Sequence, residues 1–315
     1  MKLNLKNLVT GGLGFIGSHL VKQLIKNNEK VICLDNLSTG NLRNLYKWEK
    51  YSNFQFIKAD VENYIDLTVN KIWHLACPGS PVYYQVNPIK TTTTIFLGTL
   101  NMLELAKKNN AKLLIASSSE IYGNPLEHPQ KELYFGNVNP IGERSCYEEG
   151  KRIAESLCKN YFERYELDVK IARIFNSYGH KMKINDGRVI SNFIIQSLKN
   201  EPITIYGDGL QTRSFCFIDD LVEGLFSFMQ TSFNNPINLG NNKEINILKL
   251  AEIIKEKCLS ESKIIYLPQR KDEPLKRKPD LSLSKKVLNW YPKVNIDYGL
   301  EKTINYFKEV YDNKN

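Results

Sequence analysis

The chain has no apolar run that approaches the ~18–20 residues a membrane-crossing helix needs. Its start, MKLNLKNLVTGG, has no secretory apolar stretch either. The expectation is a cytoplasmic protein with no membrane partner. Cysteine is sparse and scattered: Cys33, Cys77, Cys146, Cys158, Cys216 and Cys258 form no Cys-x-x-Cys pair. That pattern suits reduced, mostly structural thiols and argues against a zinc site. The four histidines (His19, His74, His128, His180) show no ligand spacing, so no metal is expected. Internal repeats and low-complexity tracts are missing too.

What is present is a core-forming composition. Of 315 residues, 42% are apolar and 24% charged, close to the globular average. A chain this long buries a large core without metals or disulfides and is expected to form one large or two moderate domains. Lys and Arg number 43 against 34 Asp and Glu, a net charge of +9. The sign suits an anionic ligand such as a nucleotide, a phosphate or nucleic acid, and it equally describes a basic, solvated surface. No aromatic-plus-basic RNA motif accompanies it, so a nucleic-acid partner is not expected.

Short β-rich runs alternate with longer helical patterns. Strands are predicted at Leu8–Thr10, Val31–Asp35, Phe54–Ala59, Ile72–Ala76, Leu113–Ser117 and Val169–Ile174. Between them apolar residues recur at helical spacing, as in Ile16, Leu20 and Leu24 or Leu97, Leu100 and Leu103. Apolar strands separated by helices argue for an α/β fold, a doubly wound parallel sheet covered on both faces. Such a sheet binds its ligand beyond the carboxyl ends of its strands. After about Phe175 the pattern becomes irregular. Polar, Gly-bearing loops, one of them across 267–280, separate helices predicted at Val189–Lys199, Ile218–Met229, Ile247–Cys258 and Leu300–Tyr311. The reading is a first domain over 1–176, with segments near 213–240 returning to it. A smaller C-terminal substrate-binding domain covers 177–315, and the terminal DNKN is expected to fray.

The segment Val9-Thr10-Gly11-Gly12-Leu13-Gly14-Phe15-Ile16-Gly17 joins the first strand to the first helix. Gly11, Gly14 and Gly17 have the GxxGxxG spacing that permits a tight turn, close backbone approach to a pyrophosphate and close helix–strand packing. The helix that follows offers free N–H groups and a positive dipole end to phosphate. Alone, the motif is equally an unliganded Gly-rich turn. Asp35 ends the second strand with a carboxylate that can accept from an adenosine ribose and repel a 2′-phosphate, which points to NAD over NADP. Asp60 and Val61 follow the third strand, where an adenine amino group can be read.

Tyr147 and Lys151 form Tyr-x-x-x-Lys, a spacing that puts both on one helix face. An ammonium near a phenol favours the phenolate and lowers its pKa from ~10, giving a general base for a sugar hydroxyl. Taken alone, the pair is a common surface pattern. Upstream, Ser117-Ser118-Ser119-Glu120 follows the fifth strand. A serine there can share a proton with a substrate alcohol and Tyr147, or simply belong to a polar turn. Arg188 and Arg213 are candidate diphosphate contacts, because guanidinium forks fit phosphate oxygens bidentately. Asn176, near a strand end, can hold a phosphate or sugar hydroxyl, or cap a turn.

In this order and spacing, the fingerprint, the edge serine and Tyr-x-x-x-Lys resemble the extended short-chain dehydrogenase/reductase family that acts on nucleotide sugars. The resemblance is closer to its UDP-glucuronate decarboxylase, or UDP-xylose synthase, branch. It lies in HLACPGSP (74–81), SSSEIYGNPLEHPQ (117–130), NVNPIGERSCYEEGK (137–151), ARIFNSYG (172–179), NDGRVISNF (185–193), YGDGLQTRSF (206–215) and KRKPD (276–280). The resemblance implies a Rossmann-type NAD domain, a cap for the sugar nucleotide and a homodimer. It implies that Tyr147 is the base, that Lys151 tunes it, and that Ser118 supplies the hydroxyl where the family usually has threonine. Glu120 would lie beside the sugar ring and Arg277 would point at its C5 region. Phe15, Ile16, Asn36, Leu75, Ala76 and Thr94 would join the cofactor site, and Tyr206 and Gln211 the uridine pocket. The implied reaction oxidises C4 of UDP-glucuronate, loses carbon dioxide from the resulting β-keto acid and protonates C5, with a water held by Glu120 and Arg277. Restoring C4 gives UDP-xylose and regenerates NAD.

The chain departs from the branch after Asn87-Pro88-Ile89-Lys90, where the family reads KTxKTN. Thr93 replaces a lysine and Ile95 an asparagine. Fold and NAD binding are expected to survive the change, which bears instead on rate or on the sugar. Neighbouring chemistries on the same scaffold stay open: a 4-epimerase, a decarboxylase that releases the 4-keto sugar, or a 4,6-dehydratase, which wants an aspartate where Ser119 stands. The intact Ser118, Tyr147 and Lys151 speak against a non-catalytic NAD-binding scaffold.

Overall fold

The computed structural model describes residues 5–269 and 276–312. The loop read across 267–280 is therefore described only at its ends, and residues 313–315 of the expected frayed terminus lie outside the described residues. Strands β1 (Lys6–Thr10), β2 (Lys30–Asp35), β3 (Phe54–Lys58), β4 (Lys71–His74), β5 (Lys112–Ser118) and β6 (Val169–Ile174) alternate with helices α1 (Phe15–Lys26), α2 (Leu42–Leu45), α3 (Pro81–Tyr84), α4 (Pro88–Asn109) and α5 (Ser145–Tyr165). The rest of the chain carries strands β7 (Ser177–Tyr178), β8 (Ile203–Tyr206), β9 (Thr212–Ser214), β10 (Cys216–Phe217), β11 (Ile237–Leu239), β12 (Glu244–Asn246), β13 (Ile264–Leu267) and β14 (Lys276–Arg277). Its helices are α6 (Val189–Leu198), α7 (Ile218–Met229), α8 (Ile247–Cys258), α9 (Ser282–Leu288) and α10 (Ile296–Asp312).

Seven strands form one sheet in the order β11-β6-β5-β4-β1-β2-β3, and every pairing in it is parallel. Successive side chains of a strand point to opposite faces, and the core divides accordingly. Leu8, Ile32, Leu34, Leu113, Ile115 and Ile171 pack under α4 and α5. Val9, Cys33, Leu114 and Ala172 pack on the other face with α1 and α7. Strands buried on both faces need the near-continuous apolar runs seen in the sequence. The smaller pairs β8–β13 and β7–β10, and the set β12-β9-β14, lie in the second half of the chain.

Helix α4 starts where Asn87 Oδ1 accepts the Lys90 N–H at 3.0 Å and Pro88 occupies the first turn. Helix α10 begins at Ile296, ahead of the predicted Leu300, because Asn295 Oδ1 accepts from the Tyr298 N–H at 2.8 Å. Strand β4 stops at His74, short of the predicted Ala76. The Ala76 N–H leaves the ladder for Thr10 Oγ1 at 3.3 Å, and the chain turns across the sheet edge. Strand order reverses between β1 and β4, both of which run parallel. This switch point opens a crevice at the carboxyl ends, where ligands of such sheets bind.

Candidate active site

Two cavities meet at that crevice. The first, about 400 Å³, is lined by Gly11, Gly14, Phe15, Ile16, Gly17, Asp35, Asn36, Val61, Leu75, Ala76 and Thr94, among others. Its floor is close-packed backbone. A Cβ on Gly17 would stand 2.2 Å from the Gly11 carbonyl oxygen, and one on Gly11 would stand 2.9 Å from the Ala76 backbone. Gly11 also has φ +67°, a conformation natural to glycine. The Asp35 carboxylate accepts the N–H groups of Leu13 (3.0 Å) and Leu37 (2.8 Å). Burial pushes its pKa up against those two bonds. These features fit a dinucleotide: glycine backbone for a pyrophosphate and an anchored carboxylate for a ribose.

Asp60 does not line this groove. It accepts from Asn36 Nδ2 (3.1 Å) and pairs with Lys90 (2.9 Å), and Lys90 also pairs with Glu62 (2.8 Å). Thr93 and Thr94 both donate to that Glu62 carboxylate. Ile95 is buried and packs on Gly150, one residue from Lys151; a Cβ on Gly150 would come within 2.9 Å of it. The two departures in α4 thus land in different places, Thr93 on an acidic cluster beside the groove and Ile95 against the helix that carries Tyr147.

The second cavity, about 270 Å³, brings together Ser118, Glu120, Tyr147, Lys151, Asn176, Arg188, Tyr206, Gln211, Arg213 and Arg277. Ile16, Leu75, Cys77, Gly79, Ala116 and Arg188 line both cavities and form the seam. Tyr147 and Lys151 share one face of α5. Lys151 Nζ donates to the Ala116 carbonyl at 2.7 Å and stands 5.6 Å from the centroid of the Tyr147 ring. The expected lowering of the phenol is not the net effect in the protein alone. Burial pushes Tyr147 up, Cys77 adds to it, and the Ser118 hydroxyl bond pulls the other way. Ser118 also accepts the Glu120 N–H at 3.2 Å at the start of a tight turn over 119–122.

Both Glu120 oxygens are occupied, one by Arg277 Nη1 and the other by Arg144 Nη2. Burial alone would push this carboxyl up, but the Arg277 and Arg144 guanidinium groups outweigh it and hold it at about 2. A carboxylate held so low stays ionised at neutral pH, as a group that holds a water beside Arg277 can. Arg277 Nε and Nη2 are buried without hydrogen-bond partners among the described residues, as is Gln211 Oε1. Gln211 Nε2 donates to the Tyr206 carbonyl at 2.6 Å. Arg213 is buried and its Nη1 donates to the Thr212 carbonyl at 2.8 Å. Pairing of β9 with β14 sets Arg213 and Arg277 side by side. Arg188 forms a two-point pair with Asp186 and lies 5.6 Å from the Phe15 ring. Asn176 sits two residues past β6, its carbonyl accepting the Cys216 N–H at 2.9 Å.

Residues 8–303 match the model of the GDP-mannose 4,6 dehydratase family. UDP-glucuronic acid decarboxylase 1 of Arabidopsis thaliana is 51% identical over 304 residues, which span 96% of this chain and 70% of that protein. The chain belongs to the UDP-glucuronic acid decarboxylase family, within the extended short-chain dehydrogenases/reductases. Decarboxylase 6 of the same plant is 50% identical over 94% of this chain and 87% of its own length. Among solved structures, the UDP-glucuronic acid 4-epimerase of Bacillus cereus, in complex with UDP-glucuronic acid and NAD, superposes with a TM-score of 0.89. It is 29% identical and covers 98% of this chain and 100% of the epimerase.

The structure adds residues to which sequence reading assigned no role in this member of the decarboxylase family. Arg144, Glu148 and Tyr84 surround Glu120, and Lys183 lines the groove. Arg144 and Glu148 carried one signal, opposite charges four apart that straddle Tyr147. Tyr84 and Lys183 carried none. The structure also joins His19 and His180, whose rings cross at 4.3 Å, with Asp219 near them. Spacing could not show this, since the two lie on opposite sides of the sheet's sequence. The His19 Nε2 already meets the His180 carbonyl at 2.9 Å, and Lys181 and Lys22 nearby oppose a cation.

Proposed function

We propose that the protein decarboxylates UDP-glucuronate to UDP-xylose through a 4-keto intermediate, with NAD resident in the glycine groove. The observation that carries this is the meeting of Tyr147, Ser118 and Lys151 with the buried, incompletely bonded Arg277 in one cavity at the end of that groove. Kinship at about half identity with named decarboxylases supports it. We assign residues 1–176, with the stretch near 213–240, to the cofactor and 177–315 mainly to the sugar nucleotide.

Gly11, Gly14, Phe15, Ile16, Gly17, Asp35, Asn36, Val61, Leu75, Ala76 and Thr94 would hold NAD, with Asp60 steadying Asn36. When bound, NAD supplies a reversible hydride acceptor at C4 and a positive charge near Tyr147. Tyr147 takes the C4 hydroxyl proton, helped by that charge and by Lys151. Ser118 holds the same oxygen in line. In the 4-keto acid the C5–C6 bond breaks, its electron pair moves onto the C4 oxygen, and carbon dioxide leaves. Ser118 and protonated Tyr147 donate to that oxygen as charge develops. C5 then takes a proton from a water held by Glu120 and Arg277, the hydroxide being neutralised from solvent, and Tyr147 returns its proton to the C4 oxygen as the ring is reduced. Arg277 steers the carboxylate, Arg188, Arg213 and Asn176 take the diphosphate, and Tyr206 and Gln211 the uridine.

A homodimer is part of the proposal. The outer faces of α4 and α5 expose Ile89, Phe96 and Ile153, which supports pairing there. The six unpaired cysteines support a reducing compartment, the cytoplasm. The test is incubation with UDP-glucuronate and no added reductant, followed by mass analysis. UDP-xylose and carbon dioxide are expected; release of a 4-keto sugar or a 4-epimer would replace this reading by its neighbour.

A further inference from the structure

Two carboxylates and two guanidinium groups alternate in a chain that runs from behind the wall of the second cavity into it: Arg144, Glu120 and Arg277 line the cavity, and Glu148 stands behind Arg144. Glu148 lies buried in the first turn of α5, and its Oε1 accepts from Arg144 Nε at 3.3 Å. Arg144 passes its other arm to Glu120, and Glu120 meets Arg277. The series ends at Arg277, whose Nε and Nη2 have no partner among the described residues. With both carboxylates ionised the four charges sum to zero.

A uronic acid brings a third carboxylate to these two guanidinium groups. With Arg188 and Arg213 engaged on the diphosphate and Lys151 on the Ala116 carbonyl, three carboxylates on these two cations leave a surplus negative charge, which raises the carboxyl held least firmly. We propose that Glu148 is a positioning residue for the reaction, holding Arg144 on Glu120 in the resting pocket and taking up a proton when the substrate carboxylate claims the Arg277 guanidinium. The proposal rests on the decarboxylase reading.

The groups that face Glu148 leave it as the one to titrate. Glu120, from the 119–122 turn, is held down by its two arginines. Tyr84, from α3, is pushed up by burial and stays a neutral phenol. Tyr147, on the same helix, is likewise pushed up, as is Cys146. Arg144 and Arg277 remain cations. Burial and the neighbouring Glu120 charge raise Glu148 to about 7, against the pull of Arg144 and Arg277. An arriving carboxylate is a further like charge, and by taking Arg277 it leaves Glu120 to draw on Arg144; both effects raise Glu148 again. Binding is then linked to proton uptake. The balance suits the chemistry. Breaking C5–C6 releases neutral carbon dioxide and leaves an electron pair that must capture one proton at C5. In the bound complex a protonated Glu148 holds one proton, the number consumed per turnover.

Calorimetric titration tests this with NAD-loaded Tyr147→Phe protein, in which turnover is suppressed. UDP-glucuronate is titrated at pH 7 and pH 8 in two buffers of unequal ionisation enthalpy. Uptake should be about half a proton at pH 7 and should rise toward one at pH 8. UDP-glucose, which lacks the carboxylate, should give none. Glu148→Gln keeps an acceptor for Arg144 and should abolish the uptake, while Glu148→Asp should restore it. In otherwise wild-type protein, Glu148→Gln should also remove an inflection near pH 7 from kcat/KM. Uptake that is equal with UDP-glucose, or unchanged in Glu148→Gln, overturns the proposal. Failure of the wild-type protein to release carbon dioxide from UDP-glucuronate would instead sink the decarboxylase reading, whatever the calorimetry shows.

Discussion

The two halves of the crevice are built from different materials. The glycine groove is floored by main chain from the turn after β1 and the segment after β4, with Thr94 and Lys183 added from farther along the chain, and the tolerances of that floor are steric. At Gly17 a single added carbon would stand 2.2 Å from a carbonyl oxygen. The sugar-side cavity is made of side chains drawn from distant segments: the 119–122 turn, α3, α5, β9 and β14. Its tolerances are electrostatic, because it gathers Glu120, Arg144, Arg213 and Arg277 on one wall. The contrast teaches that binding and chemistry are separable here. Backbone geometry holds one ligand in place, while a balanced set of charges acts on the other.

The sharpest way to break that separation is Tyr147→Phe. It removes the proton acceptor and keeps the ring, which stacks on Tyr84 at 4.9 Å. Turnover should fall by at least ~10²-fold, the usual scale for loss of a general base, while bound NAD, read by absorbance after denaturation, stays unchanged. Near-normal turnover would mean that another group is the base. A smaller, converse effect is expected on the groove side. Asp35→Asn keeps only one of the two oxygens that accept from Leu13 and Leu37 and removes the charge. Affinity for NAD should drop about tenfold, as for a charged hydrogen bond, and discrimination against NADP should narrow. Equal losses for both dinucleotides would take the ribose away from Asp35.

The same contrast explains what could be read without coordinates. Gly11, Gly14, Gly17 and Asp35 are close in sequence, and each residue type has one steric or electrostatic reason to be there. The sheet was legible for a similar reason: its buried strands are uninterrupted apolar runs, and α7 and α8 match their periodicity to the residue. Tyr147 and Lys151 announced themselves by helical spacing. The grip of Arg144 on Glu120 did not, because their contact spans a loop with no regular period. Tyr84 sits in a four-residue helix too short to show a pattern. The direction of the Tyr147 shift was missed because spacing reports a neighbouring charge and is silent on burial, which dominates.

A pH series sharpens the comparison with the smallest effect. On the groove side, His74 is fully buried in β4 with its Nδ1 2.8 Å from Thr10 Oγ1. Burial, aided by Lys151, lowers its pKa from 6.5 to about 3. A histidine whose folded value is depressed favours the unfolded chain as acid is added, so stability should decline from pH 6.5 downward, by about 1 kcal/mol over the first unit. On the sugar side, Glu120 is depressed from 4.5 to about 2. Its contribution is complete above its ordinary value and is lost only as pH falls below 4.5 toward 2. Urea midpoints at pH 7, 5.5 and 4 should therefore fall throughout, with Glu120 adding to the fall below pH 4.5. His74→Asn should flatten the fall over the whole range, and Glu120→Gln should flatten only the acid end. If His74→Asn leaves the slope between pH 7 and 5.5 intact, the titrating group lies elsewhere, and the groove owes its acid sensitivity to something other than this buried imidazole.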